Sequence, residues 1–273
     1  MDARPIGVFD SGLGGLTTVK KIIEILPEED IIYLGDTGRV PYGSRSKETI
    51  IKYATQDAAF LAGYDIKAMI IACNTVCSTA FNILEQAYDI PVFEVVSAPA
   101  KAAALISKNR KIGVIGTTAT ILSGAYETAL LEHIKDAYIL SVPCPLFVPL
   151  AENGRTSEFD VAALSIAGDY LMPMIRSGID TLIMGCTHYP LMRGVVSKVM
   201  GPGVTLIDSG AETAKFVAHE LYAKNMLAPA QPDPEKNGTV RYFVTDSTDD
   251  FSQLASRFME SDVQGMVEQV TLE

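Results

Sequence analysis

The chain has 273 residues, 48% apolar and 20% charged, with a formal net charge of -11. That is an ordinary globular composition, long enough for one large α/β domain or two smaller ones with separate cores. A surface of that sign repels phosphate backbones, and the short basic pairs at Lys20-Lys21 and Lys108 to Lys111 form no patch, so nucleic acid is not an expected partner.

No apolar run reaches the roughly 18 to 20 residues of a membrane span. Pro5–Phe9 already reads as a strand, with no basic leader or small-residue cleavage site before it. The four cysteines, Cys73, Cys77, Cys144 and Cys186, are therefore expected as reduced thiols in the cytoplasm. Cys73 and Cys77 are close in sequence, yet they lack further His or Cys ligands and make a poor zinc site.

From the N-terminus the pattern is strand, then helix. Pro5–Phe9 is followed by a helix over Leu13–Leu26, a strand over Ile31–Leu34 and a helix over Lys47–Ala62. Ala68–Ala72 is a fully apolar strand, leading to a helix over Thr75–Ala87 and a strand over Pro91–Val96. The series then restarts: Lys111–Ile115 strand, Ser123–Ile134 helix, Tyr138–Val142 strand, Asp160–Arg176 helix, Thr181–Met184 and Val204–Ile207 strands, Ala211–Lys224 helix. Pro229 to Gly238 reads as an exposed loop, Arg241–Thr245 as an edge strand and Phe251–Met259 as a short helix. Such alternation predicts βαβ units and mainly parallel sheets.

The halves echo each other. Ala68-Met-Ile-Ile-Ala-Cys73-Asn-Thr matches Thr181-Leu-Ile-Met-Gly-Cys186-Thr-His, and the next strand begins about 18 residues after each cysteine. Gly7-Val-Phe has its echo in Gly113-Val-Ile. The expected fold is α/β with two similar lobes, each a mainly parallel sheet flanked by helices, related by a pseudo-two-fold axis. Residues 1–97 with the returning 209–273 form one lobe and 98–208 the other. The site should lie in the cleft between them, at the carboxyl ends of the strands.

Cys73 and Cys186 each end a buried strand and, on this reading, open a helix, whose N-terminus should lower a thiol pKa. A single such cysteine is most simply a small buried hydrophobe. Two at matched strand ends would face a central ligand from opposite sides, as two-base proton transfer at one carbon requires. Asp10-Ser11-Gly12-Leu13-Gly14-Gly15 allows close backbone approach, with Asp10 able to hold an ammonium. Its bland reading is an N-cap by Asp10 or Ser11. Pro41-Tyr42-Gly43-Ser44 is a turn whose backbone could meet a carboxylate. Asn74, Thr75, Thr187 and His188 are donors directly after the cysteines. The threonines could equally be caps, and His188 either a core residue or a group polarising a thiol. Glu152 reads as a loop glutamate, Cys77 and Cys144 as packing, and His133 and His219 as surface residues. No dinucleotide fingerprint, pyridoxal lysine motif or metal cluster is visible, so no cofactor or metal is expected.

At these residues the chain resembles the glutamate racemase family of the aspartate/glutamate racemase superfamily. The resemblance is carried by Gly7-Val-Phe-Asp-Ser-Gly-Leu-Gly-Gly15, Gly35-Asp-Thr-Gly-Arg-Val-Pro-Tyr-Gly43, Ala72-Cys-Asn-Thr75, Ile112-Gly-Val-Ile-Gly-Thr-Thr-Ala-Thr-Ile-Leu-Ser-Gly124 and Gly185-Cys-Thr-His-Tyr-Pro190. It runs to about residue 225, departing at Val76-Cys77 and across Glu94 to Pro99. It implies cofactor-independent interconversion of L- and D-glutamate, supplying D-glutamate for peptidoglycan. Cys73 and Cys186 would be the acid/base pair, Cys73 acting on the D- and Cys186 on the L-enantiomer, assisted by Asp10, Glu152 and His188. Asp10, Ser11, Tyr42, Gly43, Asn74, Thr75, Thr187 and His188 would contact substrate. A homodimer is compatible with it. The readings left beside it are a superfamily racemase for aspartate or a hydantoin, a cysteine hydrolase using Cys186 and His188, and a non-catalytic two-lobe binding protein. The hydrolase reading suffers because residues two apart rarely aim at each other and because Cys73 goes unused.

Overall fold

The computed structural model describes residues 1–230, 237–263 and 266–272. The first half runs β1 (Ile6–Asp10), α1 (Leu16–Ile25), β2 (Ile31–Gly35), α2 (Lys47–Ala62), β3 (Ala68–Ile71), α3 (Asn74–Ala87) and β4 (Val92–Glu94). A crossing helix α4 (Ser97–Ile106) leads to β5 (Lys111–Gly116), α5 (Thr118–Leu122), α6 (Ala125–His133), β6 (Tyr138–Pro143), α7 (Phe147–Glu152), α8 (Val161–Ser177), β7 (Thr181–Gly185), α9 (Arg193–Met200) and β8 (Thr205–Asp208). Helix α10 (Ser209–Ala223) returns to pack on α1, and β9 (Val240–Val244), α11 (Thr248–Met259) and β10 (Val267–Gln269) follow.

The strands form two sheets, β10-β9-β2-β1-β3-β4 and β6-β5-β7-β8, and every described pairing is parallel. The order β2-β1-β3-β4 reappears as β6-β5-β7-β8, so each cysteine follows the strand beside the leading strand of its half. The two echoing glycines do the same work in the two halves. A Cβ on Gly7 would lie 2.7 Å from Ile66 Cδ1, and one on Gly113 would lie 2.5 Å from Ile179 Cδ1. Each isoleucine sits two residues before the partner strand begins.

Burial on both faces explains the near-continuous apolar strands. In the first sheet Ile6, Val8, Ile31, Tyr33 and Ile70 pack on one side with α1, α10 and α11. Phe9, Ile32, Leu34, Met69 and Ile71 pack on the other with α2 and α3. In the second half Met184, Leu182 and Ile115 join the apolar face of α8. Side chains add defined helix starts: Asp160 accepts from Ala163 N–H at 2.9 Å and Asp208 from Ala211 N–H at 3.0 Å.

Several expectations need correction. The Arg241–Thr245 segment is not an edge: β9 pairs with both β2 and β10, and the short, polar β10 takes the edge. The helix expected over Ser123–Ile134 is present as α6 (Ala125–His133), but a further short helix, α5 (Thr118–Leu122), precedes it unexpectedly, the two parted at Gly124, whose φ of 68° only glycine adopts cheaply. Glu152 ends helix α7 rather than lying in a loop. Of the loop expected over 229–238, residues 231–236 lie outside the described residues. Helices α4 and α9 were not expected. Helix α4 is Ala-rich without a clear amphipathic period, and it begins where Glu94 accepts from the N–H groups of Val96 and, at 2.8 Å, Ser97. Pro99 falls in its first turn, where a missing N–H costs nothing.

Candidate active site

Asp10 ends β1, Cys73 follows β3, Thr117 follows β5 and Cys186 follows β7, so the carboxyl ends of four parallel strands converge. Contacts between the halves cross at this level. A Cβ on Gly14 would lie 2.1 Å from Thr187 Oγ1 and 2.5 Å from His188 Nδ1, so only glycine lets the first loop reach Thr187 and His188. Thr17 Oγ1 donates to Thr187 O at 2.8 Å. Thr75 and Thr117 share a hydroxyl bond at 3.0 Å, and Asn74 Nδ2 donates to Tyr126 OH at 2.7 Å.

On the first side Cys73 is 5% exposed and precedes α3 as its N-cap. Its Sγ donates to Ser11 Oγ at 3.5 Å. The helix terminus does not lower its pKa as expected. Burial and then the charge of Asp10 push it up to about 12, against the hydrogen bonds from Ser11 and from the backbone of Val76. Asp10 itself is fully buried and does not cap α1. Its Oδ2 accepts from Gly12 N–H at 3.0 Å, while Oδ1 has no hydrogen-bond partner among the described residues. Burial raises its pKa too, opposed by the charge of His188 and by the N–H groups of Gly15, Gly12 and Ser11.

The second side is built differently. Cys186 does not open an α-helix. His188 begins a 3₁₀ turn over Tyr189–Met192, and α9 starts only after it. This turn brings the His188 ring back to Cys186, contrary to the expectation that residues two apart point away from each other. Burial disfavours the imidazolium, but hydrogen bonds to Cys186 and Glu152, together with their charges, raise His188 to about 10. Its Nε2 lies 3.0 Å from Glu152 Oε1. The ring stands edge-on to Phe258 of α11, with centroids 5.9 Å apart. An open cavity of about 360 Å³ lies beyond Glu152, bounded also by Leu191, Arg257 and Phe258.

The remaining expected residues divide. Asn74 and Thr75 are buried at the start of α3, and Asn74 Oδ1 has no partner among the described residues. Neither threonine caps its helix: Thr75 bonds Thr117 and Thr187 lies against Gly14. Tyr42 is buried, and its hydroxyl bonds Asp36 and Asp57, while Gly43 lies against Thr117 of the other half. Thr117 was missed, although it occupies in the second half the place Ser11 holds in the first. It caps α5, accepting from Thr120 N–H at 3.2 Å, and lies against Gly43, whose Cβ would be 3.1 Å from its own. Cys77 and Cys144 are buried in packing positions, and His133 and His219 are exposed. Among the described residues no group of three or more His, Cys, Asp or Glu could hold a metal ion, and no helix is long and apolar enough to cross a membrane.

A sequence model of the Asp/Glu/hydantoin racemase family matches residues 6–217. The glutamate racemase of Geobacter metallireducens is 44% identical over 273 residues, covering 100% of this chain and 98% of that protein. Among solved structures, a glutamate racemase from Bacillus anthracis superposes with a TM-score of 0.92 at 37% identity, covering 100% of this chain and 99% of that one. The Francisella tularensis glutamate racemase in complex with D-glutamate gives a TM-score of 0.90 at 39% identity, with the same coverage.

Proposed function

The chain belongs to the Asp/Glu/hydantoin racemase family and interconverts L- and D-glutamate; we propose that two thiols, Cys73 and Cys186, carry that reaction without a cofactor. One sulfur, as thiolate, takes the α-proton from one face of the substrate carbon while the other, as thiol, returns a proton to the opposite face. The pair holds one proton before and after, and the roles exchange with direction. The unlike surroundings of the two sulfurs support this reading most. Burial and Asp10 hold Cys73 in the protonated form, while the His188 imidazolium, braced by Glu152, offers Cys186 a cationic donor.

The unpaired acceptors Asp10 Oδ1 and Asn74 Oδ1 suit the substrate ammonium. The carboxylates fall to Ser11, Thr75, Thr187 and the Tyr42–Gly43 backbone. D-Glutamate made this way suits peptidoglycan supply. A cytoplasmic location, a homodimer and the division into lobes 1–97 with 209–273 and 98–208 belong to the same proposal; strand membership of the two sheets supports the division.

The test is α-deuterium exchange in D₂O, starting from either enantiomer, with enzyme dialysed against chelator. Both enantiomers should form and carry deuterium, and Cys73→Ala and Cys186→Ala should each abolish exchange into the opposite enantiomer. Normal turnover by either variant, or activity that returns only with pyridoxal phosphate or zinc, sinks the proposal. A cysteine hydrolase, which the Cys186–His188 contact would otherwise suit, would not need Cys73.

A further inference from the structure

Two carboxylates beside the Tyr42 turn take no part in this proton transfer, yet both are fully buried. Asp36 follows β2. Asp57 sits in the apolar stripe of α2 with Ile50, Ala54, Ala58 and Leu61, where an acid is costly unless it is bonded. Arg39 joins the two: its Nε lies 2.6 Å from Asp36 Oδ2 and its Nη2 lies 2.9 Å from Asp57 Oδ1. The guanidinium also donates to Gln56 Oε1 at 2.6 Å and lies 4.2 Å from the centre of the Tyr53 ring. Thr245 Oγ1 donates to Asp36 Oδ1 at 2.7 Å. Between the acids stands the Tyr42 hydroxyl, hydrogen-bonded to Asp36 Oδ2 and 3.0 Å from Asp57 Oδ2.

The proton count of this cluster is informative. A phenol has one proton to give, so two ionised carboxylates would leave one of its contacts acceptor to acceptor. Two buried carboxylates against one guanidinium would also leave an uncompensated charge. One more proton removes both defects. A neutral Asp57 donates through Oδ2 to the Tyr42 oxygen, Tyr42 donates to Asp36, and Arg39 balances Asp36. Burial, and then the negative charge of Asp36, push the Asp57 carboxyl well above the usual range, in the same direction.

We propose that neutral Asp57 is a positioning residue for substrate, acting through the Tyr42 hydroxyl to fix the Tyr42–Gly43 backbone against the substrate carboxylate. This rests on the reading of that backbone as a substrate contact in a glutamate racemase. The tolerance is small, because Gly43 already lies against Thr117 of the opposite half.

Steady-state racemisation and thermal melts of wild type, Tyr42→Phe, Asp57→Ala and Asp57→Asn test it. Tyr42→Phe and Asp57→Ala should raise KM for both enantiomers about tenfold or more, with kcat changed by less than about threefold. Asp57→Asn should hold KM within about threefold of wild type, because its amide donates to the Tyr42 oxygen and accepts from Arg39 as the neutral acid does. Asparagine as damaging as alanine would show that the charge of Asp57 is needed and overturn the proposal. An unchanged KM in Tyr42→Phe overturns it as well, and that variant, which loses one oxygen, decides the matter if Asp57→Ala does not fold. A wild-type enzyme that left glutamate unchanged would instead overturn the functional reading, so the two failures are distinct.

Discussion

At the scale of single residues, the two halves place the same side chain at the same strand end and surround it differently. Cys73 meets a hydroxyl and a buried carboxylate, Cys186 an imidazolium tied to a half-exposed glutamate. His188 is raised to about 10, so it is cationic at neutral pH and loses its charge on the alkaline side. Because the enantiomers are equal in energy, kcat/KM is the same in both directions, and it should fall as pH passes through about 10. Glu152→Gln removes one of the two partners that raise His188, so the alkaline limb should move to lower pH in a kcat/KM profile. A limb that stays in place would show that Glu152 does not act through His188. The linkage has the same sign: a raised imidazole stabilises the fold fully below its unfolded pKa near 6.5, and that stabilisation is lost as pH rises through about 10. The sequence made both cysteines and His188 legible, because two matched strand ends are visible as a repeat. It left Asp57 and Thr117 unread. An acid inside the apolar stripe of Lys47–Ala62 was the available signal for the first, and the registration of Thr117 with Ser11 for the second.

At the scale of elements, duplication makes a quantitative statement possible. Gly7 and Gly113 stand at matched places in the leading strands, each against the isoleucine that precedes the neighbouring strand. Gly7→Ala and Gly113→Ala should each destabilise by about 1 to 3 kcal/mol through overpacking. Gly168, inside α8 with open space where a Cβ would go, behaves oppositely: Gly168→Ala should stabilise by roughly 0.5 to 1 kcal/mol. Urea unfolding of the three variants checks the signs together, and a stabilising Gly113→Ala would break the equivalence. The alternating strands and helices were legible because parallel strands covered on both faces leave long apolar runs. Helix α4 and strand β10 were not. The first has apolar residues all round, and the second is three residues long and exposed at a sheet edge.

For the whole molecule, the net charge of -11 gives an anionic substrate no long-range attraction. Arg39, whose guanidinium sits with the two acids that hold the Tyr42 hydroxyl, is already engaged by Asp36 and Asp57. In the proposed site, binding would fall to short-range neutral donors on buried and half-buried residues, where salt screens little. KM for both enantiomers should vary weakly across a salt series, and Thr187→Val should weaken binding by about 1 to 3 kcal/mol at every salt concentration. A steep salt dependence, or no effect of the substitution, would mean that a basic residue anchors the substrate.

The return of β9 to β2, which joins Ile31 to Val240, sets an order of events during synthesis. All four strands of the second sheet lie between Lys111 and Asp208, so that sheet can close while the C-terminal part of the chain is still on the ribosome. The first sheet cannot. Until Val240–Val244 emerges, β2 presents a bare, apolar edge to whatever the nascent chain meets, and Phe258 has not yet closed over His188. The half synthesised first is thus the half finished last, and the maturing chain carries its exposed edge until the final segment arrives.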